Sequence, residues 1–352
     1  MIQARAEGAA TRPDAKSRLY ENGRFTCGPV AVKHPIMTDT ISADILDPVS
    51  FSRAASDPDG FARDLGRSFR EIGFAVVSDH GIDPAVIDDA LADTKAFFAL
   101  PEETKRAYFD PHGGGQRGYT PFATENAKGR SAKDLKEFWH RGRDLPPGSP
   151  WRAAMPSNVP VSEIEGFDRS TKALYDALDQ MGVVLLRAIA RDLGLADDWF
   201  DTTVDHGNSV LRLLHYPPID GEPAGVRAGA HEDINVITLL LGAEEAGLQA
   251  KTRTGEWLSI QPPDGALVVN VGDMLQRLTN HVLPSTTHRV INPSAERMRF
   301  SRYSTPFFLH FNPDFLIETL PQCVSAANPD RYPEPITADD YLRERLREIG
   351  LL

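Results

Sequence analysis

A mainly β fold with flanking helices and a double-stranded β-helix (jelly-roll) core is predicted from two features of the chain. From Val210 to about Phe311, short apolar runs alternate with turns that contain Gly and Pro, the pattern expected of an antiparallel jelly roll. Upstream of Val210, apolar residues recur mainly at helical spacing. The chain therefore changes from mostly helical to mostly β, and we expect the β part to form the core.

The upstream part is predicted to hold several helices and one buried strand. The predicted elements are a helix over Phe61–Ile72, a strand over Phe74–Ser78, a helix over Pro84–Phe98, a helix beginning near Pro101, a loop over Pro111–Phe122 and a long helix over Phe167–Leu193. A final amphipathic helix is predicted over Ala338–Ile349. We expect these helices to pack on the β core.

Four segments follow from this order. They are a flexible N-terminal extension over residues 1–44, a mixed, mostly helical region over 45–205, the β core over 206–320 and a C-terminal helical segment over 321–352. The first 36 residues are polar and lack a sustained period, which is typical of a flexible segment. Met37 just precedes the regular region, which suggests the hypothesis that translation starts there.

Composition narrows the function classes. The 352 residues are 41% hydrophobic and 25% charged, with a formal net charge of −12, so clustered basic surface for nucleic acid is not expected. No apolar stretch approaches the ~20 residues of a membrane helix. Cys27 and Cys323 are the two cysteines, too few for a disulfide framework or zinc knuckle, and they fit a reducing cytoplasm. We expect a monomer or weak homo-oligomer acting on a small molecule, without nucleic acid or membrane partners.

A candidate metal site is indicated by His231, Asp233 and His288. Side chains alternate in an extended chain, so His231 and Asp233 project to the same side. Two imidazoles and one carboxylate on one face of a metal leave the opposite face open, as in non-haem Fe(II) oxygenases. These three residues are therefore the candidate catalytic metal ligands.

Four other polar residues are set aside. His80 follows a strand and is expected to cap a turn. His281 lies seven positions before His288, and His310 is expected to be a packed or rim residue. Asp273 follows a glycine and is expected to stabilise a turn rather than bind metal.

A second polar pair, Arg302 and Ser304, lies downstream in Arg302-Tyr303-Ser304-Thr305-Pro306. Alternation again places both side chains on one face of a strand. A buried arginine needs an anionic partner, since an unpaired charge costs several kcal/mol. The guanidinium fork suits a carboxylate, and the serine hydroxyl can donate another hydrogen bond.

Further motifs accompany these residues in a fixed order. They include Gly73-Phe74-Ala75-Val76-Val77-Ser78-Asp79-His80-Gly81-Ile82, Phe97-Phe98-Ala99-Leu100-Pro101, Asp134-Leu135-Lys136-Glu137 and Tyr216-Pro217-Pro218. With the metal triad and the Arg-x-Ser pair, the chain resembles the isopenicillin N synthase-like family of Fe(II)/2-oxoglutarate-dependent dioxygenases over roughly residues 45 to 320.

The resemblance implies that His231, Asp233 and His288 bind Fe(II). It also implies that Arg302 and Ser304 hold the distal carboxylate of 2-oxoglutarate. O2 would bind the metal at the position left open by the three protein ligands and 2-oxoglutarate. A substrate C–H bond would then be oxidised, most often hydroxylated, with formation of succinate and CO2.

Tyr216 resembles the family tyrosine that contacts the same carboxylate. Leu214 stands where many plant members carry Asn, so that wall departs from the family pattern. Arg299-Phe300-Ser301 is the alternative Arg-x-Ser register; Arg302 is preferred because its motif runs directly into Pro306-Phe307-Phe308.

The substrate wall is predicted from the family's mobile segments and the barrel mouth. Its candidate residues are Tyr119, Phe122, Asn126, Arg130 and Phe308. Nothing in the sequence identifies the substrate beyond a small metabolite.

Three alternative functions remain open on the sequence. A 2-oxoglutarate-independent oxidase, of the isopenicillin N synthase or aminocyclopropane carboxylate oxidase type, would share the fold and the Arg-x-Ser pair. A zinc hydrolase would need a general base near the metal, for which the sequence offers no obvious residue. A jelly-roll binding module would leave the triad unexplained.

Overall fold

Two β-sheets form the centre of the protein in a computed structural model that describes residues 46–124, 134–153, 155–219, 225–241, 247–294 and 296–348. The strands are β1 Val49–Ser50, β2 Phe74–Ser78, β3 Gly118–Thr120, β4 Glu137–Gly142, β5 Val210–Tyr216, β6 Ala228–His231, β7 Ile237–Leu241, β8 Leu248–Lys251, β9 Trp257–Ser259, β10 Leu267–Val271, β11 His288–Val290, β12 Arg302–Leu309, β13 Leu316–Ile317 and β14 Ile336–Thr337. The larger sheet has the order β1-β2-β10-β7-β12-β5-β4-β3, and the smaller has the order β6-β11-β8-β9. Strands β13 and β14 form a separate pair.

Eight α-helices flank these sheets along the described residues. They are α1 Arg53–Ser56, α2 Pro58–Ile72, α3 Pro84–Phe98, α4 Glu102–Arg106, α5 Phe167–Asp192, α6 Asp201–Val204, α7 Asp273–Leu278 and α8 Ala338–Glu348, with short 3-10 turns at Pro150–Ala153, Arg297–Arg299 and Pro321–Cys323. No helix within the described ranges is both long enough and apolar enough to cross a bilayer.

The two faces of the larger sheet have different partners. One face packs in the main hydrophobic core with residues of α2, α3 and α5, through side chains such as Leu213, Leu239 and Phe307. Because strand side chains alternate, their neighbours point the other way. On that second face Phe74 and Val268 pack against residues of the smaller sheet. The interior between the sheets is therefore separate from the helix-packed core.

Several predicted elements are found with the predicted bounds. The strand over Phe74–Ser78 and the helix over Pro84–Phe98 are confirmed, and the long helix ends at Asp192, one residue before its predicted end. The predicted loop over Pro111–Phe122 is wrong in part, because β3 lies within it and pairs with β4. Three residues are too few for a recognisable period, and the pairing strand is distant in sequence.

Gly73 turns the chain from α2 into β2. Its φ is 70°, and its amide donates to the carbonyl of Phe69 at 2.8 Å, so the residue ends the helix in the left-handed conformation that glycine adopts most readily. A Cβ atom there would lie 2.4 Å from the carbonyl oxygen of Pro284 and 2.5 Å from Oγ1 of Thr286. The turn therefore packs directly against the segment that leads to His288.

We expect Gly73→Ala to lower the free energy of unfolding by about 2–4 kcal/mol, because it adds a steric clash to an unfavourable φ. Gly81 is the matched control: its φ is 71°, but nothing lies within 4 Å of a Cβ built there. Gly81→Ala should cost only about 1–2 kcal/mol. Urea unfolding of both variants measures the difference; equal losses would contradict the steric explanation.

Candidate metal centre

Three candidate ligands converge where the smaller sheet meets the start of β7. His231 is the last residue of β6 and His288 the first of β11, and the two lie directly opposite each other in the antiparallel pairing. Asp233 lies just after β6. Its Oδ1 atom is 3.6 Å from Nε2 of His231 and 3.7 Å from Nε2 of His288. One ligand atom from each residue lies within 4.8 Å of the others, which suits a single metal ion.

Both imidazoles are oriented by the backbone. Nδ1 of His231 lies 2.7 Å from the carbonyl oxygen of Gly229, and Nδ1 of His288 lies 3.1 Å from that of Thr286. A carbonyl oxygen can only accept, so Nδ1 carries the proton in each ring. The Nε2 lone pairs are left for the metal, as in histidine ligands whose second nitrogen is hydrogen-bonded.

The two carboxylate oxygens of Asp233 have different neighbours. Oδ2 accepts hydrogen bonds from Oγ1 of Thr238 at 2.5 Å and Nδ2 of Asn270 at 2.8 Å. Oδ1 is the oxygen that faces the two histidines. Burial alone raises the pKa of Asp233, but the histidines and the two hydrogen bonds outweigh it, so the net pKa is lowered and the side chain is ionised at neutral pH.

His231 is held in its neutral form. Desolvation by the surrounding protein and repulsion from His288 lower its pKa, although 37% of its side-chain surface is exposed. A neutral ring is the form that coordinates a metal. Phe74 packs edge-on against His288, with ring centroids 5.5 Å apart, and so fixes the second imidazole from the interior of the sheets.

A buried arginine on β12 has no charge partner among the residues that the structure describes. Arg302 is 2% exposed, and its Nε and Nη1 atoms have no hydrogen-bond partner among the described residues. It is paired across the strands with Tyr216, whose ring centroid is 4.9 Å from its Cζ. Ser304 is buried on the same strand face. These unpartnered donors fit an anionic group of a bound molecule, because an unpaired buried cation is costly.

Next to these residues, Phe138, Leu214 and Tyr216 form a small apolar cluster. Leu214 thus contributes an apolar contact to this part of the wall. Tyr216 and His215 point to opposite faces of β5, as alternation predicts: His215 bonds to Glu137, whereas Tyr216 lies by Arg302.

An unpredicted residue, Arg212, lies on the same face of β5 as Tyr216. Its Cζ is 4.3 Å from the ring centroid of Phe138 and 5.3 Å from that of Phe308. Its Nε donates to Nε2 of His140 at 2.6 Å, and Nδ1 of His140 is 2.6 Å from the carbonyl oxygen of Gly115. Arg212 could have been found from the sequence, because it lies four residues before Tyr216 and side-chain alternation places both on the same face of a strand.

The five predicted substrate-wall residues have different locations. Phe308 lies on the same face of β12 as Arg302 and Ser304. Phe122 is 39% exposed, and Asn126 and Arg130 lie outside the described residues. The prediction for Tyr119 is wrong: its ring is fully buried in the helix-packed core, and its hydroxyl donates to Glu137.

The residues set aside in the sequence have other roles. Nδ1 of His80 accepts the amide hydrogen of Ile82 at 3.1 Å, which confirms the predicted turn cap. Nε2 of His281 lies 2.6 Å from the Tyr332 hydroxyl. Asp273 is buried at the start of α7, and burial raises its pKa to about 8. Thr238 and Asn270, which bond Asp233, gave no signal, since each lies within an apolar run.

Two family models match the chain. Residues 45–163 match the model described as "non-haem dioxygenase in morphine synthesis N-terminal", and residues 207–311 match the model of the 2OG-Fe(II) oxygenase superfamily.

Similar proteins span most of the chain. A 2-oxoglutarate-Fe(II) type oxidoreductase of Emericella nidulans is 34% identical, covering 77% of this chain and 79% of that protein. A proline hydroxylase of Petromyces alliaceus is 33% identical, covering 86% and 97%.

Solved structures agree with these relatives. A 2OG-Fe(II) oxygenase family protein of Caulobacter crescentus is 59% identical, with a TM-score of 0.82 over 88% of this chain and 100% of that one. A Neurospora crassa protein solved with alpha-KG and thymine is 29% identical, with a TM-score of 0.76 over 87% and 98%. The predicted resemblance is confirmed: this chain belongs to the 2-oxoglutarate/Fe(II)-dependent oxygenases and, like its named relatives, is an oxidoreductase that uses Fe(II), 2-oxoglutarate and O2.

Proposed function

We propose that this dioxygenase hydroxylates a C–H bond of a small ring-containing metabolite, with Fe(II) held by His231, Asp233 and His288 and 2-oxoglutarate anchored by Arg302. The observation that carries the proposal is the buried guanidinium of Arg302, whose Nε and Nη1 atoms have no hydrogen-bond partner among the described residues, in a chain that also brings three candidate metal ligands together. We also propose that the two facing sheets form the double-stranded β-helix of this superfamily, a proposal supported by the side chains that pack between them.

The metal ligands supply a preset coordination face. His231 and His288 would each offer Nε2, and Asp233 would offer Oδ1, while the outer hydrogen bonds keep all three in place. When bound, Fe(II) together with 2-oxoglutarate and O2 supplies the oxidant for the C–H bond, and succinate and CO2 are released. The chain's own contribution is to bind and orient.

Arg302, Ser304 and Tyr216 would hold the distal carboxylate of 2-oxoglutarate. The guanidinium offers parallel N–H donors, and the two hydroxyls can add further hydrogen bonds. All three side chains are buried, so water competes weakly for the carboxylate. The co-substrate is thereby aimed at the metal rather than only concentrated near it.

The substrate would lie against Phe308, Phe138 and Arg212. Two aromatic rings suit a flat or ring-shaped molecule, and the guanidinium suits a carbonyl or carboxylate oxygen. The Neurospora protein solved with thymine and the proline hydroxylase of Petromyces alliaceus have names that point to small ring-containing molecules, which supports this class. Phe122, Asn126 and Arg130 stay predictions for the rest of the wall.

We expect Asp233→Ala to abolish Fe(II) binding, because it removes the one anionic ligand. The weak visible charge-transfer band of the Fe(II)–2-oxoglutarate complex, recorded anaerobically, reports the loss. Glu232→Gln is the matched control, since the Glu232 carboxylate accepts a hydrogen bond from Thr287 rather than facing the histidines. A band of normal intensity in Asp233→Ala would refute the ligand assignment.

We expect Arg302→Gln to weaken 2-oxoglutarate binding by about 30-fold or more, because a charge-assisted contact to the carboxylate is lost. Titration of the same absorption band with 2-oxoglutarate measures the change. Arg299→Gln tests the alternative register: Arg299 is exposed, so its loss should leave the affinity unchanged. A larger effect at Arg299 would reverse the assignment.

The substrate assignment is tested by succinate release with a panel of small ring compounds, each paired with an analogue that lacks the carbonyl or carboxylate oxygen. For an active compound we expect Arg212→Gln and Phe308→Ala to raise KM about tenfold without weakening the charge-transfer band. Arg289→Gln is the matched control, because Arg289 stacks on Trp257, 3.9 Å from its ring centroid. Unchanged KM in both variants, or activity with oxygen-free analogues alone, would contradict the proposed class.

A further inference from the structure

The motif Asp134-Leu135-Lys136-Glu137 has no role in the proposed function, yet Asp134 bonds to Gly229 and Glu137 bonds to His215, which are neighbours in sequence of residues at the proposed metal and co-substrate sites. We propose that this motif positions both sites separately: Asp134 fixes the iron ligand His231, and Glu137 fixes the strand pair that carries Tyr216 and Arg302. The inference rests on the proposed function, because it concerns the same iron and 2-oxoglutarate.

Asp134 reaches His231 through the backbone of Gly229. Its Oδ1 accepts the amide hydrogen of Gly229 at 3.1 Å, and the carbonyl oxygen of Gly229 accepts from Nδ1 of His231 at 2.7 Å. Glycine has the least restricted backbone of all residues, so the carbonyl that orients His231 is held only as firmly as Gly229 itself. Asp134 supplies that restraint from a different segment of the chain.

The Asp134 side chain is itself held in place. Oδ2 of Asp134 accepts from Nζ of Lys136 at 3.0 Å, and both side chains are buried. The amide of Leu135 donates to the carbonyl oxygen of Val226 at 3.1 Å, which joins the motif to the chain just before β6. A buried ion pair and a backbone hydrogen bond therefore fix the carboxylate that restrains Gly229.

Glu137 points to the opposite side of the motif, toward the helix-packed core. Its carboxylate accepts from Nζ of Lys105 at 2.8 Å, from the Tyr119 hydroxyl and from Nδ1 of His215 at 2.7 Å. Burial raises the pKa of Glu137, but these donors outweigh it and lower the pKa, so Glu137 stays ionised. Donors from α4, β3 and β5 thus meet at one carboxylate.

His215 carries this restraint to the co-substrate residues. It precedes Tyr216 on β5, and its Nε2 lies 2.9 Å from Oγ of Ser301, which precedes Arg302 on the neighbouring strand. Its ring also stacks on Tyr303, with centroids 4.8 Å apart and planes 12° from parallel. Glu137 therefore sets the relative position of Tyr216 and Arg302 from behind the sheet, without touching 2-oxoglutarate.

Residue parity explains how one short motif serves both sites. Asp134 and Lys136 share one side and bond to each other, whereas Glu137 begins β4 and faces the other side of the sheet. The hydrogen bonds of Asp134 and those of Glu137 therefore run to different parts of the site from residues only three positions apart. Their separation makes the two effects distinguishable by experiment.

The first arm of the test is Asp134→Ala in the full-length protein, because an asparagine would keep an oxygen that can accept the amide hydrogen of Gly229. We expect the Kd for Fe(II) to rise about 10- to 100-fold, the range for loss of an outer-shell partner of a ligand, while the Kd for 2-oxoglutarate at saturating iron changes less than twofold. Anaerobic Fe(II) titration, followed by the charge-transfer band, gives the first constant. Asp179→Ala is the matched control: it removes the ion pair of Arg143 with Asp179, at 2.7 Å, and should lower thermal stability without changing iron affinity.

The second arm is Glu137→Gln together with Ser301→Ala. We expect Glu137→Gln to raise the Kd for 2-oxoglutarate about tenfold and Ser301→Ala about threefold, with the Kd for Fe(II) unchanged in both. Ser301→Ala removes one hydrogen bond at a half-buried position, so it reports on the same route if Glu137→Gln fails to fold.

The outcomes separate this inference from the proposed function. Absence of the charge-transfer band in the unmodified protein would overturn the proposed function. A normal band there, combined with unchanged constants in the variants, would overturn the positioning roles. A parallel loss of both constants with the melting temperature in each variant would show a purely structural role and would also overturn them.

Discussion

The register of the β6–β11 pair is the constraint on which the rest of the site depends. His231 lies directly opposite His288, so one backbone alignment brings two imidazoles to the same point. Strand side chains have a period of two, and a slip of one residue would send a ligand to the other face of the sheet. Asp233 then needs only the short turn after β6 to join them. Hydrogen bonds then orient the three candidate ligands. The two imidazoles bond to the carbonyl oxygens of Gly229 and Thr286, and the carboxylate accepts from the side chains of Thr238 and Asn270.

The grouping of the candidate ligands was predictable because they follow a local rule. The pairs His231/Asp233 and Arg302/Ser304 are each two positions apart in the sequence. In an extended chain, residues two positions apart lie on the same face. The long helix ending at Asp192 was predictable for the same reason, since its apolar period is repeated over many turns. Patterns that repeat, or that depend on neighbours in sequence, give a usable signal.

The rest depended on contacts between distant segments. Tyr119 was misassigned because the face that a three-residue strand presents is fixed by its pairing with β4, which begins only at Glu137. Asn270 bonds Asp233 although the two residues are 37 positions apart, and nothing in its own apolar strand marks it as a hydrogen-bond donor to a candidate metal ligand. Thr238 is hidden in the same way inside β7. Burial of a polar side chain inside an apolar run becomes informative only once the partner is known.

The division of β12 between two environments has a consequence for how this protein can change. Arg302, Ser304 and Phe308 face the interior, whereas Phe307 and Leu309 pack in the helix-covered core. Under the proposed function, substitutions on the interior face would alter ligand binding, whereas substitutions on the other face would alter packing in the helix-covered core. Mutations on the interior face of this strand could therefore change ligand preference with little effect on the free energy of unfolding. Ligand preference and folding stability can thus evolve nearly independently along a single strand.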